Sequence, residues 1–159
     1  MKKINVLGVG AALVDRQFSI EDNLLEELKL KKGSMDLKDQ ETQNQIYEKL
    51  TQLYGSSEDA CGGSSTNTIY AASILGSSCS FIGKVANDLN GKFYVDNLIG
   101  ANIKNKCMSL DKGVSGSCLV MVSPDAERTM STFLGISSEL KISDLDENMI
   151  EEAEIVYLE

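Results

Sequence analysis

The sequence predicts an α/β fold with a parallel sheet, and three observations carry that prediction. Near-continuous apolar runs of strand length, Ile4 to Gly8 and Cys79 to Val85, alternate with stretches of helical apolar spacing, as strands buried under helices on both faces require. Glycine-rich crossings at Gly8-Val9-Gly10 and Gly62-Gly63 punctuate the pattern, the second opening directly into a helix start at Ser64-Ser65-Thr66-Asn67. With 159 residues and 42% hydrophobic content, the chain is long enough for one domain with its own core.

Composition narrows the chemistry. A net charge of −9, with no local cluster of Lys or Arg, argues against a nucleic-acid surface. Histidine is absent, which removes Ser-His-Asp and Cys-His nucleophiles, His-ligated zinc and imidazole acid–base catalysis. Cys61, Cys79, Cys107 and Cys118 show no Cys-x-x-Cys spacing and fit a reduced, cytoplasmic protein with no metal site. Met1-Lys2-Lys3 ahead of an apolar run resembles a leader, but Asn5 interrupts the run and Asp15-Arg16 follow it without a small-residue cleavage site; a first strand is expected instead. No stretch approaches the roughly 20 apolar residues of a membrane span.

In order, Ile4 to Gly8 is the first strand. Gly8-x-Gly10 lacks the third glycine of a dinucleotide fingerprint, since position 13 is Leu13. Asp15 is expected just beyond the strand's C-terminal end, where open α/β sheets bind ligands and where a carboxylate can accept from two neighbouring hydroxyls of a sugar. Leu24, Leu25 and Leu28 suggest a short helical turn, and Gly33 to Leu37 alternates like a strand. Asp39 to Tyr54 is a polar helix with Ile46, Leu50, Leu53 and Tyr54 on one side, closed at Gly55. Thr68 to Leu75 reads as a mostly apolar helix packed on both sides or under a sheet and ended by Gly76, and Asp88 caps a helix running to Gly100. Strands are expected at Lys104 to Met108, Ser117 to Val122 and Arg128 to Phe133, the last two joined by a turn at Ser123 to Ala126. Ser143 is expected to cap a final helix through Leu145, Met149 and Ile150, before an apolar strand from Ile155 to Leu158.

Taken together, Asp15, Gly62-Gly63-Ser64 with Asn67, Phe81-Ile82-Gly83-Lys84 through Asp88 to Gly91, Ser115-Gly116-Ser117, Pro124 to Met130 and Ile155 to Glu159 resemble the ribokinase-like (PfkB) carbohydrate kinase family. The lines Gly8 to Asp15, Lys32 to Met35 and Asp125 to Leu134 look most like its adenosine kinase and related sugar and nucleoside kinase branch. The resemblance implies a ribokinase-like three-layer α/β/α sandwich, here incomplete, with a small β-sheet lid. Residues 1–159 would be the N-terminal part of the kinase domain, with lid segments near 18–37, 56–60 and 105–133. It further implies that Asp15, Gly62, Gly63, Asn67 and Glu159 bind a sugar or nucleoside, that Gly62-Gly63 is the hinge at which the lid closes, and that Arg128 stands near the phosphoryl group.

The family's Asp-Thr-x-Gly-Ala-Gly-Asp signature, which supplies the catalytic base and an anion hole, occurs nowhere in the sequence. Asn148-Met149-Ile150-Glu151 matches the magnesium-linked Asn-x-x-Glu by letters but falls too early in the chain. No catalytic residue is therefore expected in this chain; ATP and Mg2+ are implied as cofactors bound mainly by the other half of such a kinase. The expected partners are a small-molecule sugar or nucleoside and a second copy joined through the lid as a homodimer, with no nucleic acid and no membrane. Two other readings stand beside this one. The chain is a non-catalytic sugar-binding or lid-mediated interaction fragment, or an unrelated flavodoxin-like domain, which would lack a lid.

Overall fold

The computed structural model describes residues 3–159. Met1 and Lys2, weighed above as the basic start of a leader, lie outside the described residues. The elements run β1 (Ile4–Val9), β2 (Leu13–Ser19), α1 (Asn23–Glu27), β3 (Met35–Leu37), α2 (Gln40–Tyr54), β4 (Glu58–Gly62), α3 (Ser64–Ile74), β5 (Cys79–Ala86), α4 (Leu89–Gly100), β6 (Lys104–Leu110), β7 (Gly116–Val122), β8 (Arg128–Phe133), two 3-10 turns (Gly135–Glu139 and Ile142–Asp144), α5 (Glu147–Glu152) and β9 (Ala153–Leu158).

A central sheet takes the order β6-β5-β1-β9, with every pairing parallel. Residue alternation splits its apolar side chains into two cores, as strands covered on both faces demand. Phe81 and Val85 pack with Ile69 of α3 and Tyr94 and Leu98 of α4 on one face. Leu7, Val9 and Ile82 meet Met149 and Ile150 of α5 on the other. The Tyr94 and Thr66 hydroxyls share a short hydrogen bond that joins α4 to α3 inside the first of these cores.

The second sheet takes the order β3-β8-β7-β2-β4; β2 runs parallel to β7, β3 parallel to β8, and the β7–β8 and β2–β4 pairs are antiparallel. Phe18, Leu119 and Met121 on its outer face bury Leu24 and Leu25 of α1 and Ile46 and Leu50 of α2. α2 starts where the Asp39 carboxylate accepts from the Thr42 N–H at 2.8 Å, and it stops at Gly55 with φ of 81°. Leu119 is fully buried in this core. Leu119→Ala is therefore expected to cost about 2–5 kcal/mol, through lost transfer energy and a residual cavity, read as a lower midpoint in urea.

Four expectations are corrected. Asp15 is not in a loop beyond β1: the chain changes sheets at Gly10 to Ala12, so Asp15 lies inside β2, paired with Ala60 and Cys118. β6 is not part of the second sheet, because Lys104 to Leu110 pairs with β5 along its whole length. The far end of α3 is covered neither on both sides nor by a sheet: Ile74 is 71% and Leu75 85% exposed. Asp146, not Ser143, caps the last helix by accepting from the Met149 N–H at 3.1 Å. The reason is tertiary. Lys84 of β5, nearly buried, pairs with Asp144 at 2.7 Å and donates to the Glu139 carbonyl at 2.7 Å, which holds residues 142–144 in a 3-10 turn over the sheet.

Candidate functional site: the cleft between the two sheets

The inner face of the second sheet is built in rows. Asp15, Cys118, Thr132 and Leu37 stand side by side in register across β2, β7, β8 and β3, and Gln17, Val120, Met130 and Met35 form the next row. These rows face the N-terminus of α3 and the end of β9 across a cleft of about 510 Å³. The end toward β2 and α3 is polar, with Asp15, Asn67 and Glu159, and the end toward β3 is apolar, with Met35, Leu37 and Met130; Arg128 lies next to Met130 on β8 and acts on Asp15, and Leu13 and Leu134 also line the cleft. Beyond Asp15, Asn67 and Arg128 the space continues into a side chamber of about 330 Å³ toward β4. A groove of about 520 Å³ between the C-terminal ends of α3 and α4, from Ser73 to Ser78 and Gly100 to Asn102, is lined by no ionisable side chain and offers little to a reaction.

Burial pushes the Asp15 carboxyl up to about 6, against the pull of the Arg128 guanidinium and with a further push from the Glu159 carboxylate. Gly62 exists for this carboxylate, since a Cβ there would lie 2.0 Å from Asp15 Oδ1. Gly63 turns the chain from β4 into α3 at φ 93° and ψ 139°, and a Cβ on it would lie 2.6 Å from the Ala11 carbonyl oxygen. Asn67 follows in the first turn of α3, exposed to the cleft. Glu159 reaches the same helix end: the Ser64 and Ser65 N–H groups each donate to its carboxylate at 2.9 Å.

Asp15, Gly63, Asn67, Arg128 and Glu159, singled out from the sequence, thus converge on one cleft, while Gly62 serves the Asp15 side chain rather than the cavity wall. The apolar wall and Cys118 were not anticipated; the period-two pattern through Cys118 and Val120 and through Arg128, Met130 and Thr132 is the signal that carries them. Burial pushes the Cys118 thiol up to about 11, and it accepts a hydrogen bond from the Thr132 hydroxyl at 3.2 Å, so it serves as a wall and not as a nucleophile. Among the described residues no group of three or more Cys, Asp or Glu could hold a metal ion, and no helix is long and apolar enough to cross a membrane.

A parallel α/β body that folds a second sheet back over a polar-to-apolar cleft defines the ribokinase-like class of kinases, and the second sheet is its lid. The chain belongs to the pfkB family of carbohydrate kinases, whose domain matches residues 31–159. It superposes on the adenosine kinase from Sinorhizobium meliloti with a TM-score of 0.91 and 29% identity, over 98% of this chain and 47% of that one. A probable sugar kinase from Rhizobium etli CFN 42 gives a TM-score of 0.92 and 27% identity, over 99% of this chain and 47% of that one. A probable fructokinase-7 from Arabidopsis thaliana is 34% identical over 101 residues, which is 62% of this chain and 29% of the plant protein. The chain thus spans about half the length of these solved kinases and under a third of the curated relative.

Proposed function

We propose that this chain forms the acceptor half of an ATP-dependent kinase that transfers a phosphoryl group to the hydroxymethyl group of a sugar or nucleoside, in the manner of adenosine kinase. The observation that carries the proposal is the two-ended cleft. A carboxylate at its polar end suits two adjacent ribosyl hydroxyls, with Asn67 beside it as a further partner, and Glu159 keeps free lone pairs on the same wall. The apolar end, where Met35 and Leu37 are more than half exposed, suits the flat face of a nucleobase. Arg128 is the cation on the cleft wall assigned to the phosphoryl group. Gly62-Gly63, where the chain returns from the lid, is the proposed hinge of its closure.

ATP and Mg2+ do not fit the described residues: no metal-ligating cluster is formed, and the helix-end amides suited to a phosphate are taken by Glu159. We assign both mainly to the other half of such a kinase, together with the base, and expect the 159-residue chain to bind its acceptor without turning ATP over. α1 and α2 cover the outer face of the lid, which leaves its edges, β3 and β4, for a lid-mediated homodimer. Four free thiols suit a reducing, cytoplasmic setting.

Calorimetric titration tests the reading. Adenosine is expected to bind more tightly than ribose or fructose, because only the nucleoside covers the apolar wall. Binding is expected to weaken about tenfold per pH unit once the pH falls below about 6, since a protonated Asp15 has lost its charge and no longer accepts from both hydroxyls as a carboxylate does. A chain that binds none of the three compounds, or binds adenosine equally at pH 5 and pH 8, would remove the acceptor site from this cleft.

A further inference from the structure

The N-terminus of α3 faces the cleft, yet nothing within its own first turn closes it: Gly63 has no side chain to cap it and no acidic residue follows. The first amides of an 11-residue helix, at the positive end of its dipole, make a ready anion site. Here that site is filled from the far end of the chain. The Glu159 carboxylate takes the Ser64 and Ser65 N–H groups with one oxygen each at 2.9 Å, and its backbone N–H donates to the Val9 carbonyl at 3.1 Å, continuing the β9 register. The packing is shaped around it. A Cβ on Gly10 would lie 3.0 Å from Glu159 Cβ and Oε2, and one on Gly63 would lie 3.3 Å from Oε2.

We propose that Glu159 is a specificity-determining residue that keeps phosphate esters out of the acceptor cleft, so that the cleft takes a sugar or nucleoside only in its unphosphorylated form. The proposal rests on the acceptor reading above. A neutral polyol meets Asp15 and Asn67 and needs no amide from α3. A phosphate that approaches the start of α3 finds its amides occupied and the Glu159 carboxylate in place, with the Asp15 carboxylate near by; the cation of the cleft, Arg128, stands on β8 and not on α3. The same arrangement disfavours retention of the phosphorylated product at this helix end.

The experiment compares the parent chain, Glu159→Ala, which frees both amides, and Glu159→Gln, which keeps the bulk. Glu48→Gln, on the exposed face of α2, matches the change in charge. Each is melted with and without inorganic phosphate, and titrated with adenosine and with adenosine 5′-monophosphate. Inorganic phosphate is expected to raise the melting midpoint of Glu159→Ala while leaving the parent and Glu48→Gln unmoved. The preference for adenosine over its monophosphate is expected to be about a hundredfold or more in the parent and to shrink at least about tenfold in both Glu159 variants. Equal phosphate behaviour in parent and Glu159→Ala overturns the proposal, whatever the nucleoside titrations give. If the alanine variant does not fold, the glutamine variant carries the comparison. The parent alone also decides: binding the monophosphate as tightly as adenosine would end the proposal. A parent that binds neither compound counts against the acceptor reading, and the phosphate comparison still judges the role of Glu159.

Discussion

Asp15→Asn lowers the affinity for adenosine by about a hundredfold to ten-thousandfold and at the same time raises the melting midpoint at pH 7 to 8. Two charge-assisted hydrogen bonds, at about 1.5–3 kcal/mol each, set the first effect. The second follows from the direction of the Asp15 shift. Its carboxyl titrates near 6 in the folded chain, above its ordinary 3.8, so between these values the folded state holds more protons than the unfolded one. Stability contributed by this group is therefore greatest when the pH is low and is lost as the pH rises through about 6. A neutral amide of the same shape escapes that loss. Calorimetry and a thermal melt on the same sample read both signs; a variant that loses binding and stability together would make Asp15 a structural residue.

Gly63→Val is expected to cost about 3 kcal/mol or more and to leave no measurable nucleoside binding. At φ 93° and ψ 139° the backbone occupies a region open almost only to glycine, and strain there is worth about 1–3 kcal/mol before any collision is counted. The collision is with backbone, since the Ala11 carbonyl oxygen would stand 2.6 Å from the new Cβ. A branched Cβ adds bulk beside the Glu159 carboxylate, which lines the cleft. Urea denaturation measures the cost and titration the binding. A valine variant that melts and binds as the parent does would reduce the diglycine to an ordinary turn.

What the sequence alone discloses about this molecule follows the range of the interaction. β5 and the cap at Asp88 are written locally, in a mostly apolar run and in a carboxylate three residues before the Gly91 amide that it accepts from. Asp15 could be singled out, but its strand could not be assigned to the second sheet, because the partner that defines it, Cys118, lies far along the chain. Met35, Leu37 and Met130 alternate as core residues would; only the fold shows that their face opens on a cleft. Ser143 and Asp146 look equally able to start a helix, and a lysine on β5 decides between them. The hold of Glu159 on α3 joins residues 94 and 95 positions apart in the chain, and no local pattern encodes it.

The order of strands in the two sheets bears on how the molecule comes together in time. β7 and β8 are neighbours in the chain and close as a hairpin, and β5, α4 and β6 make a compact unit of nearby residues. By contrast, β2 finds β7 only when Leu13 meets Gly116, and β1 finds β9 only when Ile4 meets Ala153. Closing such long loops costs chain entropy before the contacts return it, which makes these pairings late steps. The cleft is bounded by β2, β8, the start of α3 and the end of β9, so it takes shape only when those last pairings are made. Recovery of ligand binding after dilution from denaturant should therefore coincide with the slowest refolding phase, while helix content returns earlier.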